Sequence, residues 1–135
     1  MENIRIESAL RLVDRMSILD VIGEIDIYTT PQFKDAIKEA IDAGESAVII
    51  NMSQVTYMDS SGFGALLSAT KRLRPLHRSL SLVACNDSIN RMLQITRLNT
   101  IFGVYETEED AIDDLKPNMG SSSMSAAEDC VAIAG

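Results

Sequence analysis

Ile4, Ile6, Leu10, Leu12, Ile18, Val21 and Ile22 alternate imperfectly with polar residues, a period near two that predicts two or three strands before Gly23. The period then lengthens. Thr29-Thr30-Pro31 offers a hydroxyl cap and a first-turn proline, and Phe33, Ile37, Ala40 and Ile41 follow at helical spacing until Gly44. Ala47-Val48-Ile49-Ile50-Asn51-Met52 is a nearly unbroken apolar run, as a central strand covered by helices requires, and Val55, Tyr57 and Met58 come after it. Asp59-Ser60-Ser61-Gly62 opens a second helix with an apolar stripe of Phe63, Leu66, Leu67, Thr70 and Leu73. Lys71 and Arg72 stand in its last turn and Pro75 ends it.

Leu80, Leu82 and Val83 predict a further strand, after which Asn86 or Asp87 caps a helix carrying Ile89, Met92, Leu93 and Thr96. Ile101 to Tyr105 is the next apolar run. Thr107, with Glu108, Glu109 and Asp110 behind it, caps a last helix bearing Ala111, Ile112 and Leu115. Strands alternating with helices after an opening sheet segment predict an α/β sandwich: a mixed central sheet with helices packed mainly on one side. Past Pro117 the periodicity stops and serine dominates, so residues 1–116 are expected to form one domain and residues 117–135 a flexible tail, an inert extension.

Composition narrows the function. A chain of 135 residues with 46% apolar and 24% charged residues fits one folded core. The net charge of −8, with few aromatic residues and no tryptophan, provides neither a phosphate-backbone footprint nor a base-stacking platform, so nucleic acid is excluded as a partner. No apolar stretch approaches the ~20 residues of a membrane span. Cys85 and Cys130 lack metal-ligand or CxxC spacing, which argues against a disulfide scaffold or a metal site and for the cytoplasm. His77, the single histidine, lies beside arginines and offers no Ser-His-Asp arrangement. Gly62-Phe63-Gly64 lacks the third glycine and the lysine of a nucleotide cradle. No cofactor and no enzymatic activity are expected. The acidic group Glu106 to Asp114 and the basic group Lys71, Arg72, Arg74 and Arg78 read as solvated helix ends, and Met16, Met52, Met58 and Met92 as core filling.

The string Tyr57-Met58-Asp59-Ser60-Ser61-Gly62-Phe63-Gly64 is where chemistry concentrates. Two hydroxyls at a helix start face backbone N–H groups without intrahelical partners, so a phosphate is tolerated there, and Gly62 and Gly64 leave room for a partner to approach. A phosphoserine brings about −1.5 to −2 charges; buried in an interface beside Asp59, it opposes binding. The alternative from these residues alone is that Asp59 or Ser60 only caps the helix.

Met58-Asp59-Ser60-Ser61-Gly62-Phe63-Gly64-Ala65-Leu66-Leu67, preceded by Gly23-Glu24-Ile25-Asp26, resembles the STAS domain of bacterial anti-sigma factor antagonists, from about Ile4 to Leu115. The resemblance implies a STAS-like sandwich and a phosphorylation switch at Ser60, with Ser61 as the adjacent hydroxyl and alternative target. It also implies a partner surface of Asp26, Asp59, Ser60, Ser61, Gly62 and Phe63. The implied partners are an anti-sigma factor serine kinase, bound by the unphosphorylated form so that a sigma factor is released, and a metal-dependent PP2C-type serine phosphatase that resets the cycle. The chain itself is then a monomer or weak dimer. Asp26 is read either as part of the kinase-facing surface or as a turn cap before Thr29. Arg74-Pro75-Leu76-His77-Arg78 replaces the glycine-rich turn usual in the family. The alternative function is a STAS scaffold or transporter-associated subunit with no phosphorylation cycle.

Overall fold

The opening alternation folds as a hairpin in a computed structural model that describes residues 6–116. Strand β1 (Glu7–Val13) pairs antiparallel with β2 (Met16–Ile25). Asp14 and Arg15, both at positive φ, form the two-residue turn whose twist suits the strands it joins. Ile6 precedes the strand, donating its backbone N–H to Gln32 Oε1 at 2.9 Å, and Ile4 falls outside the described residues. The second strand runs through Gly23 and ends two residues later.

Helix α1 (Thr30–Ala43) leads to β3 (Val48–Met58), α2 (Ser60–Leu73) to β4 (Leu80–Val83), α3 (Asp87–Ile95) to β5 (Gly103–Tyr105), and α4 (Glu108–Leu115) follows. The sheet order is β1-β2-β3-β4-β5, with every pair after the hairpin parallel. Three successive right-handed crossovers in the same direction put α1, α2 and α3 on one face. A large core fills that side, among it Leu19, Ile25, Phe33, Ile50, Met52, Leu66, Leu82 and Leu93. Each such side chain contributes about 1.5–3 kcal/mol by leaving water.

The fourth helix covers the other face, where Ala111 packs with Met16, Ile18, Ala47, Ile49 and Val83. Arg11 fixes it there: its Nε and Nη2 donate to Asp20 at 2.8 and 2.9 Å, and Nη1 and Nη2 to Glu108 at 3.0 and 2.7 Å. Those bonds raise the Arg11 pKa and, with Asn51, hold the Asp20 carboxyl below its usual range against the opposing effect of burial. Asn86 and Thr107 are the caps of α3 and α4, each accepting a backbone N–H three residues on.

Four expectations change. Thr29 holds the N-cap position of α1, but neither its hydroxyl nor that of Thr30 caps the helix, because both are committed elsewhere. Met92 is 44% exposed, on the outer side of α3, while Met16, Met52 and Met58 are buried. The strand expected over Ile101–Tyr105 begins at Gly103, since a 3₁₀ turn over Leu98–Thr100 delays it. The segment after α2 tightens into a 3₁₀ turn over Arg74–Leu76 and leaves through His77 at φ 58, the left-handed conformation that glycine adopts freely. The tail expected over residues 117–135 lies outside the described residues.

Candidate functional site

Two loops meet at the C-terminal ends of β2 and β3. Asp59 N–H donates to Ile25 O at 3.0 Å, which binds the start of α2 to the end of β2. Asp59, in extended conformation, is the N-cap of α2, with Oδ1 accepting Ser61 N–H at 2.9 Å. The Ser61 hydroxyl also donates to that oxygen, at 2.5 Å. This hydroxyl bond, with the N–H groups of Ser61 and Gly62 adding to it, holds the Asp59 carboxyl below its ordinary range.

Across the gap, Thr30 Oγ1 lies 2.8 Å from Ser61 Oγ and 2.6 Å from Asp26 O; with the Ser61 hydrogen given to Asp59, the single Thr30 hydroxyl hydrogen is shared between these two acceptors. Asp26 Oδ1 accepts the N–H groups of Tyr28 at 2.9 Å and Thr29 at 3.1 Å, an Asx turn. Thr29 Oγ1 donates to Glu24 O at 2.7 Å and accepts Asp26 N–H at 2.9 Å. The β2–α1 loop is thereby closed on itself and stitched to the α2 turn through Thr30 and Ser61. In the sequence Thr30 is only part of a helix start, since nothing local marks a hydroxyl whose partner lies 31 residues away.

The two serines differ. Ser61 is half-buried and fully engaged, whereas Ser60 is exposed, and among the described residues no hydrogen bond holds its Oγ. Ser60 therefore does not cap the helix; Asp59 does. As the first residue of α2, Ser60 places its hydroxyl where the helix presents unpaired N–H groups and partial positive charge. Of the other expected contact residues, Asp26 and Asp59 are partly accessible, whereas Gly62 and Phe63 are buried. A Cβ on Gly62 would stand 2.5 Å from Met58 Cγ and 2.8 Å from Ile25 Cγ2, so this glycine admits neighbouring core rather than a partner. Phe63, 7% exposed, belongs to the core under the turn. Gly64 opens to solvent with nothing within 4 Å of its Cβ position. His77 is exposed in the turn after α2, and the Cys85 thiol is pushed up to about 12 by burial, which leaves it unreactive near neutrality.

The fold and this turn define an α/β sandwich that offers one free serine hydroxyl at a helix tip, braced by a second loop. The chain belongs to the STAS domain family: the family model described as the STAS domain matches residues 7–111. Among similar proteins, an anti-sigma-B factor antagonist of Listeria monocytogenes is 38% identical over 107 residues, spanning 78% of this chain and 92% of that one. The crystal structure of an anti-sigma factor antagonist from Mycobacterium paratuberculosis matches with a TM-score of 0.75 at 27% identity, over 83% of this chain and 95% of that one. The Bacillus cell fate determinant SpoIIAA in its phosphorylated form matches with a TM-score of 0.62 at 25% identity, over 80% of this chain and 98% of that one.

Proposed function

We propose that this chain is an anti-sigma factor antagonist whose unphosphorylated form binds an anti-sigma factor that is also a serine kinase, and that phosphorylation of Ser60 ends the association. The observation that carries the reading is the contrast between the serines: Ser60 is exposed and among the described residues no hydrogen bond holds its Oγ, while Ser61 Oγ is tied to Asp59 and Thr30. The Listeria relative's name and the phosphorylated SpoIIAA structure support it. A phosphate on Ser60 leaves every bond of the turn in place, so the fold tolerates it. At an interface it sets a charge of about −1.5 to −2 beside the Asp59 carboxylate, uncompensated and desolvated. About 2.7 kcal/mol suffices for a hundredfold loss of affinity, within reach of one unpaired buried charge.

In this reading the chain catalyses nothing itself, acts in the cytoplasm, and is returned to its binding form by a PP2C-type serine phosphatase. The binding unit is residues 1–116, and residues 117–135 add nothing to it. Incubation with the kinase and ATP should add one phosphate, absent from Ser60→Ala. In a titration, Ser60→Asp should bind the kinase about a hundredfold more weakly and Ser60→Ala as well as wild type. Labelling of Ser60→Ala at its usual rate, or equal affinities for the two variants, would refute the assignment.

A further inference from the structure

Helix α4 covers only part of its face of the sheet. The apolar residues beneath it, Met16, Ile18, Ala47, Ile49 and Val83, lie toward the strand starts of β2 and β3 and on β4. The covered zone is bounded on β2 and β3 by Asp20, which Arg11 grips and which accepts Asn51 Nδ2–H at 3.1 Å. Farther along, toward the Ser60 turn, the same face carries Ile22, Glu24 and Tyr57, and among the described residues no helix lies over them: Ile22 is 40% and Tyr57 51% exposed.

Tyr57 reaches that face because of an irregularity in pairing. Gly23 lies opposite Val55 and Glu24 opposite Tyr57, so Thr56 is an extra residue in β3. Val55 and Met58, 2% and 7% exposed, both stay in the core under α1 and α2. Without the bulge, Tyr57 and Val55 would point the same way; with it, the ring turns outward beside Glu24. Bulges of this kind re-aim a side chain, and they recur next to functional sites. Chain continuing from β2 adds Ile27 and Tyr28, 63% and 69% exposed, just past Asp26. The apolar side chains are interspersed with the carboxylates Glu24, Asp26 and Asp59, and no lysine or arginine occurs between Arg15 and Lys34 or between Lys38 and Lys71.

We infer that the anti-sigma factor kinase docks on this uncovered part of the β2–β3 face as well as on the Ser60 turn, closing over Ile22 and Tyr57 with an apolar surface rimmed by arginine or lysine. This rests on the reading of the chain as an antagonist. The partner's chemistry follows from the patch: tyrosine and isoleucine supply buried contact area, and the flanking carboxylates require cations opposite them. Apolar exposure elsewhere, at Leu12 on the outer strand and Ile95 on α3, lacks a comparable ring of acids beside the turn.

The test is a binding titration between the unphosphorylated chain and the purified anti-sigma factor kinase of the same genome. Ile22→Ser with Tyr57→Ser should weaken binding about 30-fold or more, with an unchanged melting curve. Glu24→Lys, which removes no packing, should slow association and flatten its salt dependence. Leu12→Ser and Ile95→Ser should bind as wild type does. Wild-type affinity in the Ile22/Tyr57 variant, alongside loss of binding in Ser60→Asp, would overturn the footprint and leave the switch standing. Equal losses in the Leu12 or Ile95 variants would also overturn it, and a wild-type chain that does not bind the kinase would remove both.

Discussion

The two glycines of the α2 start should respond to alanine in opposite directions. At Gly62 the added methyl meets Met58 Cγ at 2.5 Å, Met58 Sδ at 2.8 Å and Ile25 Cγ2 at 2.8 Å, inside contact distance of two side chains. Overpacking of a closed core costs about 1–3 kcal/mol, and the better helix propensity of alanine returns at most about 1 kcal/mol. Gly62→Ala should therefore destabilise by about 1–2 kcal/mol. At Gly64 nothing lies within 4 Å, so the same change should stabilise by about 0.5–1 kcal/mol. With about 4 °C of Tm per kcal/mol for a domain of this size, the two variants should melt on the order of 10 °C apart. Calorimetry or urea unfolding of the pair decides the matter. Melting temperatures within 2 °C of one another would refute the reasoning, because the environments of the two positions would then be equivalent. The methyl at Gly62 also presses on Ile25, whose carbonyl holds Asp59, so the Ser60 turn itself should be displaced in that variant.

Two further predictions concern the bonds that fix the turn and the last helix. Ser61→Ala removes a hydroxyl shared with Asp59 and Thr30 and should cost about 1–2 kcal/mol in urea unfolding, while Ser60→Ala should stay within about 0.5 kcal/mol of wild type. The reverse ranking would contradict the assignment of roles. Arg11 depresses the Asp20 carboxyl, so its contribution to stability is complete above the unfolded carboxylate pKa, near 3.9, and is lost as pH falls through the lower folded value. The stability gap between wild type and Arg11→Met should thus be constant from about pH 5 to pH 8 and shrink below about pH 4; a gap that does not depend on pH would remove the electrostatic account.

Much of the architecture was legible because the chain's periods are clean. The apolar run from Ala47 to Met52 could only be a covered strand, and Thr107 ahead of three acids could hardly be other than a cap. The Asp59-Ser60-Ser61-Gly62 string located the start of α2 to the residue. What failed were positions whose environment is set from far along the chain. Thr29 looked like a cap because its sequence neighbours are those of a cap, yet its hydroxyl closes the loop onto Glu24. The family resemblance put Gly62 and Phe63 on the partner surface, but a helix turns 100° per residue, and these two rotate into the core. Tyr57 was unreadable for another reason: an extra residue in a strand changes which face follows it, and no local signal announces the shift.

The division of labour between Ser60 and Ser61 bears on timing. Since the hydroxyl open to modification holds nothing together, adding or removing a group there requires no unfolding and no rearrangement of the turn. Under the proposed switch, charged and uncharged forms would interconvert as quickly as a kinase and a phosphatase act on Ser60. A circuit built on this part would store no memory of its past in the protein's shape: its response at any moment would follow the current balance of the opposing activities.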